Sequence, residues 1–236
     1  MPVVLEETKR FAVIIFVEKN PKDMMFPDWN WLLEKQDKFG TSFLWLFTPY
    51  CLNIPSTKVI ASTKNVGLHI HFSENEPLGS WNGWPQRQNL IKDPKKQIDL
   101  LDNCYKEWGE IRDKNPLYFS AGWFQGLTKP VRKYVSGMGM KYVDWRDPKA
   151  DISIDNFFTS RNIIKKIDVL FRTCDCGHLK DDHNEGVASC MITGCTCAGF
   201  EPVIVMATHT FDPRKRVEPA LDYFLEAVKG YKNLIA

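Results

Sequence analysis

Short hydrophobic runs alternate along the chain with segments in which hydrophobic residues recur at helical spacing. The runs are rich in Val, Ile and Phe, which predicts buried strands over residues 11–17, 42–47, 66–72, 117–120, 140–144, 167–171 and 202–208. The helical patterns lie between them and cover residues 29–39, 96–112, 128–138 and 217–229. Strands that alternate with helices indicate a parallel sheet with helices outside it, and about seven such units favour an α/β barrel over an open sheet.

Two of the predicted helices are followed by a glycine. Gly40 comes after the helix at 29–39, and Gly139 comes after the helix at 128–138. Glycine is favoured there because it adopts the left-handed conformation that ends many helices. Both helix ends are therefore well defined by the sequence.

The composition is that of one globular domain, which we expect to span residues 1–236. Hydrophobic residues make up 44% of the chain and charged residues 25%. The net charge of +2 argues against a nucleic-acid partner. The seven-residue apolar run at 11–17 is far shorter than the roughly 20 residues that cross a membrane. The first ten residues also lack the layout of a signal peptide, so we expect a cytoplasmic protein without membrane contact.

Ionisable residues stand at the carboxyl ends of several predicted strands, where barrels collect their functional groups. His69 and His71 lie two residues apart on one strand, so both can face the barrel interior. Two imidazoles and a carboxylate form a site for a divalent metal ion. Glu18 is the nearest carboxylate by strand position, and the alternatives are Asp23, Asp28 and Asp144. Asp144 and His209 close two further strands. The alternative is a pair of structural histidines that are hydrogen-bonded in a polar barrel mouth.

Several motifs resemble those of the polysaccharide deacetylase (NodB-homology) family. The run Gly67-Leu68-His69-Ile70-His71 resembles its histidine motif. Residues 118–123 resemble its Phe-Arg-Ala-Gly-Gly motif, and residues 139–145 resemble the strand that follows it. Residues 203–209 resemble the final strand, which carries a histidine, and residues 31–47 resemble an early helix and strand. The resemblance runs from about residue 11 to residue 230, excluding residues 172–200.

This resemblance implies a distorted (β/α) barrel of the seven-stranded type and a metal-dependent hydrolase. Its substrate would be a carbohydrate or related small molecule, from which it removes an N-acyl group by cleaving a C–N bond. His69 and His71 would be metal ligands, and His209 would be the general acid. Glu18 is the carboxylate at the first motif, and Asp144 is a further catalytic candidate.

The chain departs from the family at two positions. The first motif normally carries two adjacent aspartates, a base and a ligand, whereas Phe16-Val17-Glu18-Lys19-Asn20 offers one carboxylate. Ser120 stands where the family has an arginine. These differences leave three interpretations open: a rewired hydrolase, a lyase-type chemistry, or a barrel without catalysis.

A segment rich in cysteine and histidine interrupts the barrel pattern and reads as an insertion at 172–200. Its spacing is Cys174-x-Cys176-Gly-His178-x4-His183-x6-Cys190-x4-Cys195-x-Cys197. Thiolate and imidazole ligands at this density indicate tetrahedral zinc, whose binding would supply the folding free energy of so short a module. The preferred four ligands are Cys176, His183, Cys190 and Cys197, while Cys174, Cys195 and His178 remain candidates. A four-coordinate site has no open position, so the expected role of this zinc is structural.

Two functions of other classes compete with the hydrolase. One is a non-catalytic barrel that presents the zinc module to a partner. The other is an endonuclease that uses the His-x-His pair to hold a metal and Tyr134 as its nucleophile. The alternation of strands and helices argues against the endonuclease.

Overall fold

A computed structural model describes most of the chain outside the Cys/His segment. The described residues are 10–18, 28–51, 65–73, 90–111, 115–122, 127–145, 150–154, 156–157, 203–210 and 212–235. The predicted strand at 167–171 and the zinc module predicted at 172–200 lie outside them.

Among the described residues, nine strands form one parallel sheet, and helices flank it. The strands are β1 (Arg10–Val17), β2 (Leu44–Phe47), β3 (Val66–Ile70), β4 (Tyr118–Ala121), β5 (Lys141–Trp145), β6 (Ile152–Ile154), β7 (Asn156–Phe157), β8 (Val203–His209) and β9 (Lys232–Asn233). The helices are α1 (Asn30–Phe39), α2 (Pro94–Ile111), α3 (Lys129–Gly137) and α4 (Arg214–Ala227), with a 3₁₀ turn at Pro49–Cys51. The strand order is β6-β5-β4-β3-β2-β1-β8-β7, and β9 pairs with the start of β1. None of the described helices combines the length and the apolar character needed to cross a membrane.

The two edges of the sheet are brought together by one short segment of chain. β6 pairs with β5, where Ser153 lies opposite Asp144. Two residues beyond β6, β7 pairs with β8, where Asn156 lies opposite Met206. The segment therefore bonds to both edges, and the prediction of an α/β fold of the distorted barrel type is confirmed.

Strands β1, β2, β4, β5 and β8 present alternate residues to two hydrophobic clusters, one inside the barrel and one under the helices. On β1, Ala12, Ile14 and Phe16 face the interior cluster. On β3, Leu68 and Ile70 belong to the cluster under the helices. Because side chains alternate along a strand, His69 is left to face the interior, where its ring lies 4.6 Å from that of Phe16.

The two glycine-terminated helices end as the sequence predicts. Gly40 has a φ of 58° and Gly139 a φ of 78°, both in the left-handed region. The sequence pattern did not predict β6, β7 or β9, because strands of two or three residues contain too few positions to show alternation.

Candidate metal centre

A carboxylate and three imidazoles meet at the carboxyl ends of β1, β3 and β8. Glu18 directly follows β1, and its Oε1 lies 2.9 Å from Nε2 of His69. The same oxygen lies 3.7 Å from Nε2 of His71 and 3.8 Å from Nε2 of His209. The sequence-predicted residues Glu18, His69, His71 and His209 are thus brought together in one cluster.

The carboxylate at the centre of this cluster is withdrawn from solvent. The side chain of Glu18 is 1% exposed and that of His69 is 5% exposed. Within the described residues, neither oxygen of Glu18 accepts a well-aligned hydrogen bond, and Nδ1 of His69 has no hydrogen-bond partner. A buried carboxylate is costly unless it is paired or binds a metal. The cluster therefore has the polar atoms that a cation would satisfy.

The protonation states of these groups suit metal binding. Burial raises the pKa of Glu18, but the neighbouring His71, His209 and His69 outweigh it and lower the pKa to about 2. Burial lowers the pKa of His69 to about 4, with Glu18 acting in the opposite direction. At neutral pH Glu18 is therefore ionised and His69 is neutral, which are the forms that ligate metal ions.

Three of the residues fit a divalent ion by both chemistry and spacing. Glu18, His69 and His71 each offer one ligand atom, and these atoms lie within 4.8 Å of one another. One carboxylate with two imidazoles is a ligand set typical of catalytic zinc and of other first-row metals that keep open positions. His209 lies beside the three ligands and is more exposed, at 19% of its side chain.

The ring of His71 occupies a space that depends on a glycine. A Cβ placed on Gly122, directly after β4, would lie 2.1 Å from Cδ2 of the His71 ring. Phe72 follows His71 with a φ of 29°, a conformation that is unfavourable for a bulky residue. This turn buries Phe72 beside Phe119, while His71 remains at the cluster. Both features fix the direction of the His71 side chain.

Asp212 supports His209 and was not predicted from the sequence. Its Oδ2 accepts hydrogen bonds from the backbone N–H of His209 at 2.8 Å and from Oγ1 of Thr208 at 2.9 Å. The same oxygen lies 3.5 Å from Nδ1 of His209. Asp212 thus anchors the backbone at His209, and its carboxylate lies beside Nδ1 of the imidazole while Nε2 lies 3.8 Å from Glu18. Its position three residues after a strand-end histidine is the sequence signal that could have identified it.

Other predicted site residues lie elsewhere. Asp144 is buried, but it accepts a hydrogen bond from the hydroxyl of Tyr142 on its own strand and is not part of the cluster. The hydroxyl of Tyr134 donates to Asp102 of α2, which raises the pKa of Tyr134 to about 12 and places it among the helices. The predicted zinc ligands fall outside the described residues: Cys174, Cys176, His183, Cys190, Cys195 and Cys197.

Comparison with known proteins identifies the fold. No protein-family model matches the sequence, and no curated protein matches it. Among solved structures, the chain is similar to the Xyl-CE4 domain of a multidomain xylanase from the hindgut metagenome of Trinervitermes trinervoides. The two are 10% identical with a TM-score of 0.54, over 96% of this chain and 87% of that chain. A family 4 acetyl xylan esterase from Clostridium thermocellum, solved in complex with a cobalt ion, is 15% identical with a TM-score of 0.52, over 96% and 87% of the two chains.

A third similar structure is a CE4 family pseudoenzyme from Bacillus anthracis. It is 13% identical with a TM-score of 0.53, and the match covers 96% of this chain and 63% of that one. The chain therefore has the fold of the CE4 polysaccharide deacetylases, and the resemblance drawn from the sequence motifs is confirmed at the level of the fold.

Proposed function

We propose that this chain is a metal-dependent hydrolase of the carbohydrate deacetylase type, which cleaves the N-acyl C–N bond of an amino sugar or a related compound. The observation that carries the proposal is the buried cluster of Glu18, His69 and His71 at the mouth of a barrel with this fold. A structural neighbour that is an acetyl xylan esterase and was solved with a cobalt ion supports it.

Glu18, His69 and His71 would hold the divalent ion. When bound, such an ion supplies a water molecule of lowered pKa and polarises a carbonyl oxygen. Glu18 is the one carboxylate that the described residues bring to Nε2 of both histidines. We therefore assign it as a ligand.

His209 would transfer the proton to the leaving group. Its Nε2 lies 3.8 Å from Oε1 of Glu18, and the carboxylate of Asp212 lies 3.5 Å from its Nδ1, so one nitrogen is on the side of the reacting atoms and the other is beside a negative charge. As the acyl carbon bonds to the water oxygen and its C–N bond breaks, the amine nitrogen would take a proton from Nε2 of His209, and the proton given up by the water would leave to solvent. The partial exposure of this side chain lets it exchange protons with solvent between turnovers.

Acetate release tests this proposal directly. The purified chain, supplied with Zn²⁺ or Co²⁺, would be incubated with N-acetylated amino-sugar oligomers and, separately, with O-acetylated xylan. We expect acetate from the amino-sugar oligomers, and no acetate from the His69→Ala variant with the same metal. Metal binding without acetate release from either substrate would contradict the hydrolase.

That outcome would instead support a non-catalytic barrel. The described residues bring one carboxylate to the cluster, which favours this second candidate, because the family that the sequence resembles uses one carboxylate as ligand and another as base. In that case the chain would bind metal and present the zinc module to a partner.

The zinc module predicted at 172–200 is a separate part of the proposal. Elemental analysis would count the metal ions in the wild-type chain and in a His69→Ala/His71→Ala double variant. We expect two ions in the wild type and one in the variant. One ion in both proteins would mean that the barrel site does not retain a metal. No ion in the variant would contradict the zinc module.

A further inference from the structure

The peptide group that joins Val17 to Glu18 is held from both sides by threonine hydroxyls. Oγ1 of Thr48 donates to the carbonyl oxygen of Val17 at 3.0 Å, and the backbone N–H of Thr48 donates to the same oxygen at 3.3 Å. On the other side, the N–H of Glu18 donates to Oγ1 of Thr210 at 3.0 Å. Thr48 and Thr210 are 0% and 3% exposed, so water does not compete for these bonds.

These threonines come from the two strands that flank β1. Thr48 directly follows β2 and Thr210 directly follows β8. The paired register of β1 ends at Phe47 on one side and at His209 on the other. Glu18 lies one residue beyond β1, so side-chain hydrogen bonds replace the strand ladder at the residue that carries the carboxylate.

Thr210 fixes the backbone of Glu18 more completely than a single hydrogen bond would. Its Oγ1 accepts from the N–H of Glu18 and donates to the carbonyl oxygen of Glu18 at 2.8 Å. Its own N–H donates to the carbonyl oxygen of Phe16 at 2.8 Å. Because one hydroxyl binds both polar groups of Glu18, rotation about the backbone bonds of this residue would break at least one of them.

We propose that Thr48 and Thr210 are positioning residues, which fix the backbone of Glu18 so that its carboxylate stays within reach of His69 and His71. The metal-binding consequence rests on the proposed function, whereas the placement of the carboxylate does not. Side chains that orient a metal ligand commonly change metal affinity when they are replaced, although they do not touch the ion.

Isosteric substitutions separate this role from general packing. Thr210→Val keeps the shape of the side chain and removes both hydrogen bonds to Glu18, so we expect Zn²⁺ affinity to fall about 10–100-fold. Thr210→Ser keeps the hydroxyl and should restore wild-type affinity. Thr48→Val removes one of two bonds to Val17 and should cause a smaller loss. Thr41→Val is the matched control, since its hydroxyl donates to Phe39 at the end of α1, and it should leave affinity unchanged.

The test combines calorimetric titration of the metal-free proteins with Zn²⁺ and crystal structures of the wild type and Thr210→Val. We expect the carboxylate of Glu18 to leave its position beside Nε2 of His69 in the variant. Wild-type affinity together with an unmoved Glu18 in Thr210→Val would overturn the proposal. If that variant does not fold, Thr48→Val decides, because unchanged affinity and an unmoved Glu18 there would overturn it equally. A wild type that binds no Zn²⁺ would refute the proposed function, and the crystal structures would still decide the role of the threonines.

Discussion

Strands β3 and β5 both carry ionisable side chains towards the carboxyl end of the sheet. Of these two strands, β3 contributes to the cluster around Glu18 and β5 does not. Ser120 on β4 lies between them and pairs with His69 on one side and with Val143 on the other. The residue of β5 that lies in line with His69 is therefore Val143, which faces the barrel interior. Asp144 is one position further along and faces the opposite side.

The contacts of β5 show that the side chain of Asp144 faces the helices. Tyr142 shares a face with Asp144 and donates a hydrogen bond to it. The guanidinium of Arg132, on α3, lies 5.0 Å from the centre of the Tyr142 ring. Asp144 is thus directed to the layer under the helices. A position at the carboxyl end of a strand places a residue at that end of the barrel. Its odd or even place along the strand determines whether the side chain faces the barrel interior or the helices.

Replacing His71, which directly follows β3, and replacing Asp144 on β5 should give the largest difference in Zn²⁺ affinity. We expect His71→Ala to weaken Zn²⁺ binding by more than about 100-fold, because a ligand is lost rather than a supporting residue. Asp144→Ala should bind Zn²⁺ as the wild type does. Calorimetric titration of the metal-free proteins measures both.

The stability of the same two variants supplies the control. Asp144→Ala removes the carboxylate to which a buried hydroxyl donates, so it should lower the free energy of unfolding by about 1–3 kcal/mol. Loss of Zn²⁺ binding in a folded Asp144→Ala variant would show that β5 serves the site, and the contrast between the strands would fail.

Replacing Gly122, which leaves room for the His71 ring, should give the next largest loss of Zn²⁺ affinity. A Cβ on Gly122 would overlap the imidazole, so in Gly122→Ala the ring must leave its present position. We expect Zn²⁺ affinity to fall about 10–100-fold, as for other changes that misplace a ligand. Gly109→Ala is the control, because a Cβ at that position on α2 meets no atom within 4 Å. Equal affinities in the two variants would mean that the ring tolerates displacement.

The sequence predicted more of the fold than of the site's supports. Long hydrophobic runs and helical spacing identified β1–β5, β8 and the four helices of the described residues, because each contains enough positions to show its period. The His69–His71 pair was accessible because two residues on one strand must share a face. Asp144 shows the limit, since a strand predicted over 140–144 does not reveal which of its faces meets the barrel interior.

The supports depend on which strands are neighbours. Thr210 binds the backbone of Glu18 across 192 positions of sequence, a contact that exists because β8 lies beside β1. No local pattern encodes that adjacency. Asp212 is different, since it lies three residues from His209 and its contact is local.

Acid should destabilise the metal-free protein through the titration of His69, on β3, and of Glu18. The pKa of His69 is lowered from 6.5 to about 4, so below pH 6.5 the unfolded chain takes up a proton that the folded protein does not accept until about pH 4. The pKa of Glu18 is lowered from 4.5 to about 2, which extends the loss of stability to lower pH. The unfolding temperature measured in a chelator should therefore fall from pH 6.5 to pH 4, and less steeply in His69→Gln.

The matched control for that pH series is Thr41→Val, because the hydroxyl of Thr41 donates to the backbone carbonyl oxygen of Phe39, a group that does not titrate. It should keep the wild-type slope. A His69→Gln variant with an undiminished slope would show that another group is responsible for the acid sensitivity.

The smallest expected effect is that of Tyr142→Phe, which tests whether the two faces of β5 are independent of each other. The hydroxyl of Tyr142 donates to Asp144 and accepts a hydrogen bond from the backbone N–H of Leu127 at 3.3 Å. Its removal should lower the free energy of unfolding by about 1–2 kcal/mol, measured by urea denaturation, because two buried groups lose a partner. Zn²⁺ affinity should not change, since the hydroxyl lies on the helix side of the sheet. A fall in affinity would mean that the two faces of β5 are coupled, and that Asp144 influences the cluster from outside the barrel.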